Sequence, residues 1–119
     1  MLRASMLAME RAYAALAVRA AVIIVDGPHY PSELPPGKAL VRADSEVVAV
    51  SAASILAKVH RDALMCDYGE RFPQFSFGRH KGYATPQHLV ELVRYGPVAI
   101  HRTSFRPVAL ALKQRMEVV

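Results

Sequence analysis

The sequence predicts an α/β fold in which helices pack on a small, mainly parallel sheet. Three observations carry that prediction. A continuous β-branched run stops at an Asp-Gly pair, a second short apolar run follows a proline-rich loop, and apolar residues at helical spacing flank both. The chain has 119 residues, 53% of them hydrophobic, which is enough for one domain with a packed core.

The elements follow in order. Leu2, Met6, Met9, Tyr13 and Leu16 recur at intervals of 4, 3, 4 and 3, one face of an amphipathic helix, with Arg3 and Arg11 on its solvent side. The pattern is already running at the second residue without an N-cap signal, so it reads as a helix entered part-way. Ala21 to Val25 is a β-branched strand buried on both faces, stopped by Asp26-Gly27-Pro28. Pro28, Pro31, Pro35 and Pro36 make the stretch to Gly37 a loop. Ala39 to Val41 is a second, short strand. From Val47 to Tyr68 the pattern is helical, ending before Pro73. Its first half carries Ser51, Ala52, Ala53, Ser54 and Ala57, small enough for a close approach to a sheet or another backbone. Phe72 to Ala84 reads as an aromatic, basic loop. Thr85 caps a helix with Pro86 at its first position, Leu89, Leu92 and Val93 form its apolar stripe, and Gly96-Pro97 ends it. A last helix runs from Phe105 to Met116.

Composition excludes several classes. No apolar run reaches the length of a membrane span, and the longest, Ala12 to Val25, is interrupted by Arg19. Cys66 is the single cysteine, so no internal disulfide forms; it reads as a small half-buried hydrophobe in a reducing, cytoplasmic setting. The net charge of +5 is localised. Residues 1–78 are balanced, whereas residues 79–119 hold seven lysines and arginines against two glutamates. A polyanion-binding surface needs such an excess, and an ordinary solvated basic face shows the same signature.

Asp26 stands at the carboxyl end of the first strand, where α/β folds place their ligands. Asp44 follows the second strand, 18 residues later. Neighbouring parallel strands joined this way bring both carboxylates to one sheet edge, where hard oxygen ligands suit Mg²⁺ or Mn²⁺. An Asp-Gly turn, a helix start at Asp44-Ser45, or another fold with an aspartate after a buried strand produces the same spacing. His80, His88 and His101 are too scattered for a helical zinc pair. The hydroxyls of Ser51, Ser54, Thr85 and Ser104 lack the partner spacing of a serine hydrolase.

A longer string of residues goes further. Ser51-Ala-Ala-Ser-Ile-Leu-Ala-Lys-Val-His-Arg-Asp62, Arg79-His-Lys-Gly-Tyr-Ala-Thr85, Gly96-Pro97 and His101-Arg-Thr-Ser-Phe-Arg-Pro107 resemble the C-terminal half of ribonuclease HII. The opening Leu2-Arg-Ala-Ser-Met-Leu-Ala-Met9 and the Val25-Asp26-Gly27 turn resemble the same family, in the same order. The resemblance implies a ribonuclease H-like fold. It implies an endonuclease that hydrolyses the RNA strand of RNA–DNA hybrids, and ribonucleotides embedded in DNA, with Mg²⁺ or Mn²⁺. Asp26 and Asp44 correspond to two of the family's four metal-binding carboxylates, and Tyr83 to the tyrosine that packs on the sugar at the RNA–DNA junction. Arg79, His80 and Lys81 stand where they can hold phosphates beside it.

The resemblance also predicts that residues 1–119 are a single partial domain. It lacks the Asp-Glu-Ala-Gly-Arg-Gly segment that carries the other two carboxylates, the backbone contacts to the ribose 2′-hydroxyl and the central strand. The whole family member is expected to be monomeric. This chain alone is expected to be weak or inactive, and prone to aggregate along its open strand edge. A non-catalytic product that at most binds nucleic acid through its basic last third is the alternative.

Overall fold

The computed structural model describes residues 2–117. They form two compact units, Met1–Ala57 and Lys58–Val119.

The first unit opens with α1 (Leu2–Ala14). Its spacing face is only half-buried at Met6, Met9 and Tyr13, while Leu2 is exposed and Leu16 lies beyond the helix end. Arg3 and Arg11 are exposed as expected. Two three-residue strands follow, β1 (Ile24–Asp26) and β2 (Lys38–Leu40). They pair in parallel, Val25 opposite Ala39 and Asp26 opposite Leu40. Lys38 N–H donates to the Ile23 carbonyl at 3.0 Å and Gly27 N–H to the Leu40 carbonyl at 2.9 Å, closing both ends of the ladder.

The expected strand Ala21–Val25 is therefore corrected: pairing starts three residues later. Val25 alone of that run is buried, and Val22 is 72% exposed. A strand reads as apolar on both faces when layers cover both faces. A two-stranded ribbon leaves most of this run uncovered. The second strand is likewise shifted by one residue, from Ala39–Val41 to Lys38–Leu40. Val25, Pro31 and Ala43 form the small buried centre of the unit.

The helix expected from Val47 is preceded by a short turn of helix, α2 (Ala43–Glu46), and separated from it by Val47 in extended conformation. α3 then runs from Val48 to Arg71. It stops at the residue before Phe72-Pro73, because proline disfavours helical geometry in its predecessor. The small-residue half of α3 makes no close approach: residues 52–57 are exposed. The close approach occurs elsewhere. A Cβ on Gly69 would sit 3.2 Å from the backbone nitrogen of Gly78, so glycine lets α3 meet the next segment backbone to backbone.

The second unit holds the larger core. Phe75, Phe77, Leu92, Val108 and Ala111 are buried, and Met65, Tyr68, Phe72, Val98, Ile100 and Phe105 pack against them. Phe75 and Phe77 stack at 5.0 Å between centroids. The segment expected as loop contains one turn of helix, α4 (Phe77–His80), and inserts its phenylalanines into the core. α5 (Pro86–Tyr95) and α6 (Arg106–Glu117) complete the unit and touch each other.

Thr85 caps α5, its Oγ1 accepting from His88 N–H at 3.3 Å, and Gly96 ends it at φ 76°. Thr85→Ala is expected to lower stability by about 1 kcal/mol in a urea titration, the usual loss for an N-cap oxygen. The stripe on α5 is corrected: its buried residues are His88, Glu91 and Leu92, while Leu89 and Val93 are exposed. Leu92 is the shared position, and the buried face runs through Glu91, one residue before it, and His88, four before it.

Candidate functional site

Asp26 ends β1 and Asp44 lies in the first turn of α2, both solvent-exposed. The N–H of Ala43 donates to Asp26 Oδ1 at 3.0 Å. Arg42, the residue that opens α2, has a left-handed backbone and no capping side-chain bond, so the carboxylate of Asp26 satisfies a free helix N–H from across the sheet edge. This bond fixes the segment carrying Asp44 against the end of β1. Both the turn at Gly27 (φ 122°) and the helix turn that carries Asp44 are present.

The donor chemistry fits a hard divalent cation in kind, with water completing its shell. Among the described residues no group of three or more His, Cys, Asp or Glu side chains gathers for a metal ion.

In the second unit the segment Arg79–Tyr83 forms a tight turn. Lys81 (φ 55°) and Gly82 (φ 82°) are both left-handed, and a Cβ on Gly82 would press on Met65 Cε at 3.2 Å. The turn pushes Tyr83 outward, 61% exposed. The Arg61 guanidinium lies over its ring, 5.4 Å from the centroid, and Arg61 Nη1 is buried with no hydrogen-bond partner. Arg79 is exposed. Lys81 Nζ lies 3.4 Å from the sulfur of Cys66, and Cys66 is exposed rather than half-buried as expected.

His80 faces inward. It is 5% exposed, with Nε2 2.8 Å from Glu91 Oε2, so its ring supports the turn from behind instead of presenting itself to a phosphate. The scatter of the histidines along the sequence is undone by the fold. His80 and His88 stack at 4.2 Å between centroids, and His88 Nε2 lies 3.1 Å from His101 Nε2.

Hydrogen-bond chemistry fixes the protons. Gly82 N–H donates to His80 Nδ1, leaving the proton of His80 on Nε2, toward Glu91. Tyr83 offers His88 Nδ1 only a carbonyl, so that nitrogen carries the proton. Val98 N–H donates to His101 Nδ1, so His101 donates from Nε2 into the remaining lone pair of His88. Both ring nitrogens of His80, of His88 and of His101 are used, and none of these is free for a metal.

Burial holds His88 below the ordinary histidine range, partly offset by the Tyr83 carbonyl and reinforced by the neighbouring His80. Burial and then the charge of His88 lower His101. For Glu91, burial works upward, and the bonds from His80 and from Ser76 N–H outweigh it, so the carboxyl is lowered. His88, Glu91, His101 and Arg61 were not among the residues the sequence marked. A helical face drawn through Leu92 and the positions one and four before it would have included two of them, Glu91 and His88.

Residues 1–108 match the family model of ribonuclease HII. The chain is 51% identical over 107 residues to a ribonuclease HII of Nitrosococcus oceani, covering 90% of this chain and 53% of that protein. It is 48% identical over 105 residues to one of Desulforamulus reducens, covering 88% and 53%. It is 48% identical over 115 residues to one of Neisseria meningitidis, covering 96% and 59%. The chain thus spans about half the length of the curated relatives it matches.

Proposed function

This chain belongs to the ribonuclease HII family, and from that premise we propose that it is part of an endonuclease that hydrolyses RNA paired with or joined to DNA. The observation that carries the reading is the bond from Ala43 N–H to Asp26, which holds two adjacent carboxylate-bearing segments at one sheet edge. Asp26 and Asp44 are the catalytic and metal-holding residues. Mg²⁺ or Mn²⁺, when bound, polarises the phosphate and lowers the pKa of a water. Tyr83 packs on the sugar at the RNA–DNA junction, and Arg79 and Lys81 hold flanking phosphates. RNA is told from DNA by its 2′-hydroxyl.

Two ions in such a site carry four positive charges about 4 Å apart, and Asp26 with Asp44 neutralises only part of that charge. This chain alone therefore binds metal weakly and turns over slowly or not at all. The fold is ribonuclease H-like, the setting cytoplasmic, and the whole described chain belongs to one domain. The second reading, nucleic-acid binding without catalysis, is favoured by one observation: Arg61, Arg79, Lys81 and Tyr83 gather in the basic unit.

Two measurements test these readings. Mn²⁺ is expected to broaden the NMR signals of Asp26, Gly27, Ala43 and Asp44 together, and Asp26→Asn to abolish that broadening. Broadening at one carboxylate only would overturn the shared site. Affinity for an RNA–DNA hybrid is expected to fall steeply with salt. Reversal of Arg79 and Lys81 to glutamate should flatten the log–log slope by about 0.9 per lost phosphate contact. Reversal of Arg3 and Arg11 is expected to change it far less. Equal behaviour of the two pairs would make the basic turn an ordinary solvated surface.

A further inference from the structure

The buried His80 and His88 and the part-buried His101 lie against the rings of a small core. Burying polar groups is neutral at best when they are all satisfied, and apolar side chains of the same shape would stabilise the unit as well or better. Packing therefore does not explain His80, His88 and His101. Their hydrogen bonds lead to one place. His80 Nδ1 accepts from Gly82 N–H at 3.1 Å, and the His80 carbonyl accepts from Tyr83 N–H at 3.0 Å. The Tyr83 carbonyl accepts from Thr85 N–H and from His88 Nδ1–H, both at 2.8 Å. His101 fixes the proton of His88 on Nδ1 by filling Nε2, and Glu91 anchors His80. The backbone on both sides of Tyr83 is thus held by imidazoles while the ring stands in solvent.

We propose that His88 is a positioning residue for Tyr83, set in its donating tautomer by His101, and that with His80 it fixes the direction in which the tyrosine ring meets nucleic acid. The inference rests on the reading of Tyr83 as the residue that meets the substrate sugar. It adds residues that touch no substrate and act through Tyr83. The stack of His80 on His88 makes the two halves of the clamp one body.

The first test uses the unaltered chain. Nitrogen-15 spectra of the histidine rings at pH 7.5 are expected to show the proton on Nδ1 in His88 and on Nε2 in His80 and His101. A proton on Nε2 of His88 overturns the proposal even if every variant fails to fold.

The second test compares His88→Asn with His88→Gln. Both remove the ring, so both lose packing. The asparagine amide reaches the place of Nδ1 and can still donate to the Tyr83 carbonyl, whereas the glutamine amide reaches the place of Nε2. Affinity for a short RNA–DNA hybrid of mixed sequence is expected to stay within about twofold of the parent in His88→Asn and to drop about fivefold in His88→Gln, the scale of one lost hydrogen bond. In a Tyr83→Ala background, His88→Gln is expected to cause no further loss. Equal losses for asparagine and glutamine, or full additivity with Tyr83→Ala, overturn the positioning role.

If Tyr83→Ala alone leaves affinity unchanged, the reading of Tyr83 as a substrate contact has failed. The carbonyl-carbon shift of Tyr83, measured without nucleic acid, then decides the positioning claim. It should move in His88→Gln and stay in His88→Asn; movement in both or neither overturns the claim.

Discussion

Phe77→Ala is expected to unfold the Lys58–Val119 unit. Phe77 is 1% exposed and contacts the rings of Phe72, Phe75, His80, His88 and His101. Deleting a buried phenylalanine removes its transfer free energy and leaves a cavity, together about 3–5 kcal/mol. Whole domains are stable by only about 5–15 kcal/mol, and this unit has five fully buried apolar residues. The ring also walls the stacked imidazoles, so its loss admits water to a polar network whose bonds are strong because it is dry. Circular dichroism and amide dispersion should show collapse of the unit at 25 °C or a large drop in its urea midpoint. Ile55→Ala, at a site 61% exposed, serves as the control and is expected to change stability by less than about 0.5 kcal/mol. A Phe77→Ala protein as stable as that control would show that the core lies elsewhere.

Local chemistry was legible in the sequence wherever it was decided locally. Thr85-Pro86 and Gly96-Pro97 bound α5 because a cap oxygen, a fixed φ and a left-handed glycine act within one turn. The parallel pairing of the two apolar runs and the proline-rich connection between them also follow from the residues themselves. What failed was burial. The run Ala21–Val25 is apolar enough for a strand covered on both faces, yet the described residues supply one partner strand and leave Val22 in solvent. Apolar composition states what a segment can bury, and the neighbours decide what it does bury. The exposed Leu56 and Val59 of α3 make the same point on a helix.

The candidate site divides the same way. The place of Asp26 at the end of β1 was legible in the sequence, whereas Asp44 lies in the first turn of α2, beyond the end of β2. The bond from Ala43 to Asp26 was not visible, since it depends on the left-handed turn at Arg42. The clustering of the histidines was not visible in the sequence either: His88 and His101 are 13 residues apart, yet their Nε2 atoms lie 3.1 Å apart. A helix and a reversing loop close that gap, and only the tertiary fold specifies the reversal. Buried polar residues escape apolar-pattern reading for a further reason. Glu91 occupies a core position because Ser76 N–H and His80 satisfy it, and neither partner lies within a helical turn of it.

The same network should make the unit sensitive to acid. The titratable groups that face one another in it are His80, His88, Glu91 and His101. His88 and His101 are depressed in the folded state, chiefly by burial, so the unfolded chain takes up protons first as pH falls. Their contribution to stability is complete above the unfolded histidine value of about 6.5. It is lost as pH drops below that value, at a rate of at most about 1.4 kcal/mol per pH unit for each histidine. Below the ordinary carboxylate range Glu91 adds to the loss, since its folded value is lowered too and its stabilising charge disappears on protonation. The geometry gives the cause. A second proton on His88 would place two N–H groups of His88 and His101 head to head, and one on His101 Nδ1 would face the N–H of Val98. Urea midpoints measured between pH 8 and pH 5 are expected to be level down to about 6.5 and to fall steadily below it. The fall should shrink in a His88→Asn, His101→Asn double variant, which cannot take up those protons. A midpoint that stays level to pH 5, or a fall of equal size in the double variant, would show that other groups govern the acid response and that the tautomers assigned to this cluster are wrong.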